Sequence, residues 1–138
     1  MNEARARALL GAARVARFGT VAPDGRPRVV PICFAVAGDV IYHAVDHKPK
    51  ATRRLARLGD LAADPRATVL ADHYDDYWSA LWWVRADGRA RVLPDTGAHE
   101  AAHALDLLAE RYPQYRERRP EGPVIALDVE RITGWAAG

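Results

Sequence analysis

Two turn signals, Pro23-Asp24-Gly25-Arg26 and Gly38-Asp39, constrain the fold more than any other feature of the chain. Proline presets φ and glycine accepts positive φ, so both segments favour tight turns. Runs rich in β-branched and aromatic residues flank them at residues 15–22, 28–36 and 40–45. We therefore expect three consecutive antiparallel strands arranged as a meander.

Three peripheral helices are expected. The first covers residues 3–14, and the second follows residue 50 with apolar residues at helical spacing: Ala51, Leu55, Leu58 and Ala62. The third begins near Thr96, which can cap it, and ends at Pro113. Its expected core face comprises Ala101, Leu105, Leu108 and Tyr112.

Three more strands are expected at residues 67–72, 81–93 and 124–135. Asp87-Gly88 interrupts the second of these and fits either a tight hairpin or a bulge in one long strand. Strands and helices do not alternate regularly, which disfavours a parallel doubly wound sheet. The sequence therefore predicts one mainly β domain, residues 1–138: a six-stranded antiparallel β-barrel with peripheral helices.

Charge and cysteine content narrow the function classes. The formal net charge is +2 and the basic residues are scattered, unlike the clustered footprint of a nucleic-acid binder. The single cysteine, Cys33, excludes an internal disulfide and fits a reducing compartment. No apolar segment has the length of a signal peptide core or a membrane span. We expect a cytoplasmic protein with neither a nucleic-acid nor a membrane partner.

Only two lysines, Lys48 and Lys50, accompany eighteen arginines, and they lie two residues apart. A chain that uses arginine wherever charge is needed retains lysine where a compact ammonium group is wanted. Lysine acts as a point charge for phosphate, whereas arginine presents a planar fork. The pair indicates a phosphate site, and a solvated basic loop is the alternative.

The segment His99-Glu100-Ala101-Ala102-His103 matches the zinc protease pattern H-E-x-x-H. At 100° per residue, both histidines lie opposite the apolar face of the predicted helix. A catalytic zinc needs a third protein ligand and a dry cleft, which an exposed helix face does not supply. We interpret the motif as a solvated surface and predict no metal site.

Aromatic residues are dense between Tyr74 and Trp83. Trp82 and Trp83 are neighbours on a predicted strand, so their side chains point to opposite faces and one core cannot bury both. A second burial surface is implied, most simply a partner subunit.

Several short motifs in a fixed order carry a resemblance to a known family. They are Phe18-Gly19-Thr20-Val21, Pro23-Asp24-Gly25-Arg26-Pro27, Val30-Pro31-Ile32-Cys33-Phe34, Asp46-His47-Lys48-Pro49-Lys50, Asp64-Pro65-Arg66-Ala67, Trp78-Ser79 and Gly88-Arg89-Ala90. Together they resemble the pyridoxamine 5′-phosphate oxidase-like (PPOX class) split β-barrel family. Within it, the chain is most similar to the actinobacterial branch that uses the deazaflavin coenzyme F-420 in place of FMN.

The resemblance implies a split β-barrel that forms a homodimer, with two cofactor sites at the subunit interface. By position, Lys48 and Lys50 match the residues that bind the cofactor phosphate, with His43 and His47 nearby. Val30-Pro31-Ile32 matches the wall beside the tricyclic ring, and Trp78-Ser79 matches residues near the seam.

Arg54 is a further candidate for the cofactor site, although the resemblance leaves open whether Arg53 or Arg54 faces the cofactor. The chain departs from the family at Gly59-Asp60-Leu61, where an asparagine is usual.

The implied function is an F-420-dependent oxidoreductase that transfers a hydride between the deazaflavin and a small electron-poor organic substrate. Two alternatives stay open: an FMN-dependent oxidoreductase, and a non-catalytic flavin- or tetrapyrrole-binding protein on the same fold. The proton donor is also open among solvent, His47, Tyr77 and Ser79. The cofactor carries the chemistry, so no catalytic dyad is expected.

Overall fold

The computed structural model describes residues 1–45 and 51–138, and side chains for all of these except residues 51–55. Within the described residues, four α-helices accompany seven strands. The elements are α1 Glu3–Ala12, β1 Ala16–Val21, β2 Pro27–Ile32, β3 Ala35–Ala37, β4 Val40–Ala44, α2 Ala51–Ala63, β5 Arg66–His73, β6 Trp82–Leu93, α3 His99–Arg111, α4 Pro113–Glu117 and β7 Val124–Ala136, with a short 3₁₀ turn at Trp78–Ala80.

The seven strands form one antiparallel sheet in the order β2-β1-β5-β6-β7-β4-β3. Its two edge strands, β2 and β3, are consecutive in the chain and are separated only by Cys33-Phe34. A connection this short spans at most about 10 Å, so the sheet must curl until its edges approach. The result is the predicted antiparallel split barrel.

The predicted meander and strand count are wrong at this connection. Residues 28–36 form not one strand but two, because the chain leaves the β2 edge and joins β4 at the opposite edge. Phe34 at the crossover is 0% exposed, and its backbone N–H donates to the hydroxyl oxygen of Tyr112 at 3.0 Å. That side-chain partner replaces the backbone pairing that a continuous strand would have supplied.

Asp87-Gly88 lies in one continuous strand, which decides between hairpin and bulge. Strand β6 pairs with β5 without interruption, whereas its register with β7 shifts between Asp87 and Gly88 so that Glu130 is skipped. A Cβ atom at Gly88 would lie 2.0 Å from the carbonyl oxygen of Asp128. Glycine is therefore required where the two backbones approach at the bulge.

The core has two layers. Inside the barrel, Phe18, Val69 and Ile125 pack with α1 and α2, while α3 and α4 cover the outside of β3, β4 and the start of β7. The predicted α3 core face is confirmed, since its members are all buried: Ala101, Leu105, Leu108 and Tyr112.

Three predictions about the helices are wrong. Helix α3 begins at His99 without a side-chain cap, so Thr96 does not cap it. The described residues form four α-helices instead of the predicted three, because Pro113, which ends α3 as predicted, also opens α4, a position that proline favours. In α2, Leu58 packs on the core as predicted, but Leu61 is buried and Ala62 is exposed, so Ala62 does not belong to the apolar face.

No helix in the described part of the chain is long and apolar enough to span a membrane.

Candidate functional site

One outer face of the barrel is left open beyond the cover of α3 and α4. It is formed by β2, β1, β5, the first half of β6 and the end of β7, and we call it the open face. Its outward side chains include Val29, which is 64% exposed, and Trp135, which is 42% exposed. Apolar residues on a sheet surface mark a site of interaction or ligand binding when they are contiguous.

A groove of about 490 Å³ crosses the open face, and we call it the sheet groove. Gly19 forms part of its floor, where a Cβ atom would lie 3.0 Å from Cγ2 of Thr68. Its charged lining residues are Arg28, Arg66, Asp87 and Glu130. The groove thus combines a narrow backbone floor with charges of both signs.

Neighbouring side chains stabilise the ionised form of the Asp87 carboxylate in this groove. Its carboxylate accepts from Thr68 Oγ1 at 2.8 Å and from the guanidinium groups of Arg85 and Arg131 at 3.3 and 3.4 Å. Burial alone would raise the pKa of Asp87, but these partners outweigh burial and keep it below the ordinary value. Asp87 is therefore ionised at neutral pH.

Two further cavities flank the end of the barrel where β2 finishes. A smaller groove of about 350 Å³ on the open face is lined by Leu70, Asp72, Tyr74, Trp83 and Arg85. A larger cavity of about 630 Å³, the crossover pocket, adjoins the β2–β3 connection. The crossover pocket is lined by Arg14, Val15, Cys33, Tyr112, Pro113, Gln114, Tyr115 and Arg118.

The crossover pocket has a rigid wall. The Tyr112 hydroxyl lies within hydrogen-bond distance of the carbonyl oxygens of Arg14 and Phe34, at 2.9 and 3.0 Å. Arg111 donates to the carbonyl oxygens of Phe34 and Ala13 at 2.6 and 2.5 Å. These bonds fix the end of α3 to the crossover and to the α1–β1 connection, so the pocket is preformed.

The three residues predicted to form the wall beside the cofactor ring, Val30, Pro31 and Ile32, lie on two different faces of β2. Pro31 is exposed on the open face, where it pairs with Arg17, whereas Val30 packs on the barrel core and Ile32 is buried. Of the three, only Pro31 can therefore line a site on the open face in this arrangement.

Trp78 and Ser79 are both exposed, and Trp78 retains 75% of its accessible surface. The strand pairings bring them to the same end of the barrel as Pro31: Arg17 pairs with both Pro31 and Leu70, and β5 then runs on to pair His73 with Trp82. Trp82 packs on the core and Trp83 stacks with Arg85 on the open face, as the alternation predicts.

His43 is a core residue. It is 2% exposed, its ring centroid lies 4.5 Å from that of Phe18, and its Nε2 atom lies 2.8 Å from Nη1 of Arg57. Arginine can only donate, so Nε2 accepts and the imidazole is neutral. Burial, and then the charge of Arg57, lower the pKa of His43 to about 3.

His47, Lys48 and Lys50 lie outside the described residues, as does the side chain of Arg54. Their roles stay predictions. Arg57, one helical turn after Arg53, directs its guanidinium toward Nε2 of His43.

Acid should destabilise the protein through His43. Its pKa lies below the ordinary 6.5 in the folded chain, so the unfolded chain binds the proton first and the free energy of unfolding falls with pH below 6.5. The slope should approach about 1.4 kcal/mol per pH unit as the pH falls well below 6.5. Urea denaturation at pH 6.5, 5.75 and 5 measures it, above the ordinary pKa values of 3.8 for Asp64 and 4.5 for Glu100, near which these two carboxyl groups begin to contribute.

The control for this effect is His43→Gln, which keeps an acceptor for Arg57 but does not titrate. It should flatten the slope over this pH range, while His103→Gln on the exposed face of α3 should not. An unchanged slope in His43→Gln would show that another group causes the acid sensitivity.

Sequence reasoning missed a buried polar cluster at the inner face of α2. Asp60 is 1% exposed, and its carboxylate accepts from Thr20 Oγ1 at 2.9 Å and from Arg28 Nε at 2.6 Å. The available signal was a carboxylate between Leu58 and Leu61, within the apolar stripe of the helix.

The polar residues of the zinc-like motif are exposed or form hydrogen bonds with other side chains. His99 and His103 are exposed, and the Glu100 carboxylate accepts from Arg91 at 2.9 and 3.0 Å and from the Tyr42 hydroxyl at 2.8 Å. Those hydrogen bonds lower the pKa of Glu100 to about 2. Among the described residues, no group of three or more His, Cys, Asp or Glu side chains is arranged to hold a metal ion.

The family model described as pyridoxamine 5′-phosphate oxidase matches residues 3–136 of the chain. A search of curated protein sequences found no match to this chain.

Solved structures with the same fold come from several bacteria. A conserved hypothetical protein from Mycobacterium tuberculosis is 22% identical with a TM-score of 0.77, and the match covers 99% of this chain and 86% of that one. A FAD-binding protein from Mesorhizobium loti is 23% identical with a TM-score of 0.73, covering 97% and 94% of the two chains. The heme storage protein HutZ from Vibrio cholerae is 14% identical with a TM-score of 0.73, covering 97% and 93%.

Proposed function

Because the chain belongs to the pyridoxamine 5′-phosphate oxidase family, we propose that it is an oxidoreductase that binds coenzyme F-420 in preference to FMN. When bound, this cofactor supplies hydride transfer to or from a small electron-poor organic substrate. The protein's own residues then have to bind the cofactor, orient it and keep competing reactions out.

The observation that supports the proposal is that three of the six candidate residues with described side chains, Pro31, Trp78 and Ser79, are exposed at one end of the barrel. Pro31, Trp78 and Ser79 come from distant parts of the chain, and strand pairing brings them to the end where the crossover pocket opens. Cavities of about 490 and 630 Å³ on either side of β2 fall in the usual range for cofactor and substrate sites. We infer that a planar ring lies beside β2, although Pro31, Trp78 and Ser79 line neither of these two cavities.

The crossover pocket is the proposed substrate site. Tyr112, Tyr115 and Pro113 give it apolar walls suited to a planar organic molecule, and Arg14 and Arg118 bring positive charge to it. Cys33 lies at the end of β2 and joins this pocket to the proposed ring wall. A planar substrate with an electron-withdrawing or anionic group fits this lining.

We favour F-420 over FMN because its anionic portion is longer and matches the number of basic residues that the sequence places here. It carries a phosphodiester and an oligoglutamate tail, so its site must extend beyond one phosphate into further basic surface. The sequence supplies Lys48 and Lys50 for the phosphate, and Arg53 and Arg54 at the start of α2 for the tail. FMN needs only the lysine pair and is the alternative cofactor.

The proposed active unit is a homodimer joined through the open faces, with each site shared across the seam. The exposed apolar side chains of Val29 and Trp135 support this, because a partner sheet would remove them from water. The exposed Tyr77 and Trp78 lie in the connection between β5 and β6, two strands of the open face, and are proposed to reach the neighbouring site.

A non-catalytic heme- or flavin-binding protein is the second candidate, favoured by the likeness to a heme storage protein. Three of the four described histidines give it no support. His43 is buried with its Nε2 atom occupied by Arg57, while His99 and His103 lie on α3, which covers the outside of β3 and β4. The fourth, His73, is exposed at the end of β5, at the same end of the barrel as Pro31, and its Nε2 atom lies 2.8 Å from a carboxylate oxygen of Asp75, so it is the candidate ligand for a heme iron.

Side-by-side titration with F-420, FMN and hemin tests the proposal. We expect F-420 to bind at least about ten-fold more tightly than FMN, because additional charge-assisted contacts hold its tail. Cofactor fluorescence follows the flavins, and absorbance in the Soret region follows hemin. Tight hemin binding without turnover of reduced F-420 would establish the non-catalytic alternative instead.

A further inference from the structure

Asp60 is a buried carboxylate that joins helix α2 to the first hairpin. Arg28 Nε and Nη2 donate to it at 2.6 and 3.3 Å, and Thr20 Oγ1 donates at 2.9 Å. Asp60 is 1% exposed, whereas the Arg28 side chain is 43% exposed. The side-chain hydrogen bond to Asp60 raises the pKa of Arg28, so the guanidinium is charged throughout the ordinary pH range.

Stability alone does not account for this pair. Withdrawing a carboxylate from water costs free energy that the ion pair only partly returns, and apolar replacements of buried ion pairs are often neutral or stabilising. Helix α2 already docks through Leu58 and Leu61, which pack on the barrel core. An aliphatic residue at position 60 would continue that apolar surface.

The ion pair restricts the orientation of helix α2, whereas apolar contacts do not. Apolar packing tolerates small rotations of a helix, whereas a carboxylate held by two nitrogens of one guanidinium allows few orientations. Arg28 belongs to β2, three residues before Pro31, and it lines the sheet groove. The pair therefore fixes the rotation of α2 relative to the strand that forms the proposed ring wall.

We propose that Asp60 is a positioning residue: by holding Arg28 and Thr20, it sets α2 and β2 at the separation and rotation that the cofactor requires. The inference rests on the proposed function, since it concerns the same cofactor site.

The test separates cofactor affinity from stability. In Thr20→Val combined with Asp60→Leu, both buried polar groups are replaced, and Arg28 can turn to water. We expect the dissociation constants for F-420 and FMN to rise by about ten-fold or more, because a loosened supporting contact misplaces the site. The thermal midpoint without cofactor should stay the same or rise.

Asp39→Asn is the matched control. Asp39 pairs with Arg7 at 2.7 Å, and neither residue lines the sheet groove, so the variant also removes one carboxylate from an arginine. It should leave both dissociation constants unchanged. Asp60→Asn is the conservative variant, which keeps one acceptor oxygen and should lie between wild type and the apolar double variant in affinity.

Three outcomes would overturn the proposal. Wild-type affinity in the apolar double variant would refute the positioning role alone. Parallel losses of midpoint and affinity in both the double variant and Asp60→Asn would show that Asp60 only supports the fold. Failure of the wild-type protein to bind either cofactor would refute the proposed function, and the positioning role with it.

Discussion

Replacing both Lys48 and Lys50 by alanine is expected to weaken binding of F-420 and of FMN by about a hundred-fold or more. Each ammonium group is proposed to make a charge-assisted contact with the cofactor phosphate, and such contacts contribute roughly 1.5–3 kcal/mol each. Two of them lost together correspond to at least two factors of ten. Fluorescence titration of the double variant measures the change directly.

The matched control is Lys48→Arg with Lys50→Arg, which keeps both charges. It should recover only part of the affinity, because a planar guanidinium has a different reach and geometry from an ammonium group. Riboflavin, which lacks the phosphate, should bind wild type and the alanine variant equally. If wild type and the alanine variant bind F-420 and FMN equally well, the phosphate-site hypothesis is wrong and the lysines belong to a solvated basic loop.

The fold was predictable from sequence where local chemistry decides it. The turn at Pro23-Asp24-Gly25-Arg26 and the one at Gly38-Asp39 form as predicted, with positive φ at both glycines. The α3 core face is also correct, since helical spacing and burial agree at each position. These features depend on residues near one another in the chain.

What the sequence did not predict depends on contacts between distant segments. The crossover at Cys33-Phe34 exists because Tyr112, 78 positions from Phe34, binds its backbone. The two-residue break carries no local turn signal, so the run of β-forming residues looks continuous. Asp60 of helix α2 was missed for the same reason: its partners Thr20 and Arg28 belong to strands β1 and β2, far from it in sequence.

The candidate site residues stay predictions, and the structure shows only where the described ones lie. Pairing register places Pro31, Trp78 and Ser79 at one end of the barrel, but period-two alternation also turns Val30 and Ile32 inward. The resemblance supplied positions along β2 without the face that each residue occupies. Likewise, the proximity of His43 in sequence to the lysines does not carry it to the surface, because its ring fills space beside Phe18.

Val29→Asp is expected to convert the protein to a folded monomer that no longer binds the cofactor. Val29 is 64% exposed in the isolated subunit, so a carboxylate there is compatible with the fold. In the proposed dimer it would place one buried charge from each subunit near the seam. An unpaired buried charge costs several kcal/mol, enough to dissociate an interface of standard strength.

Sedimentation and cofactor titration of the same samples test the shared site. A stable dimer should bury upwards of roughly 1,200 Å². Dissociation of that dimer into monomers will lower the sedimentation coefficient. His103→Glu is the control, since it adds a negative charge at an exposed position of α3, on a helix that packs away from the open face. A Val29→Asp monomer that retains wild-type cofactor affinity would confine the site to one subunit. In that case the exposed Trp78 would not reach across to a neighbouring site, and the crossover pocket with its own β2 strand would have to hold cofactor and substrate alone.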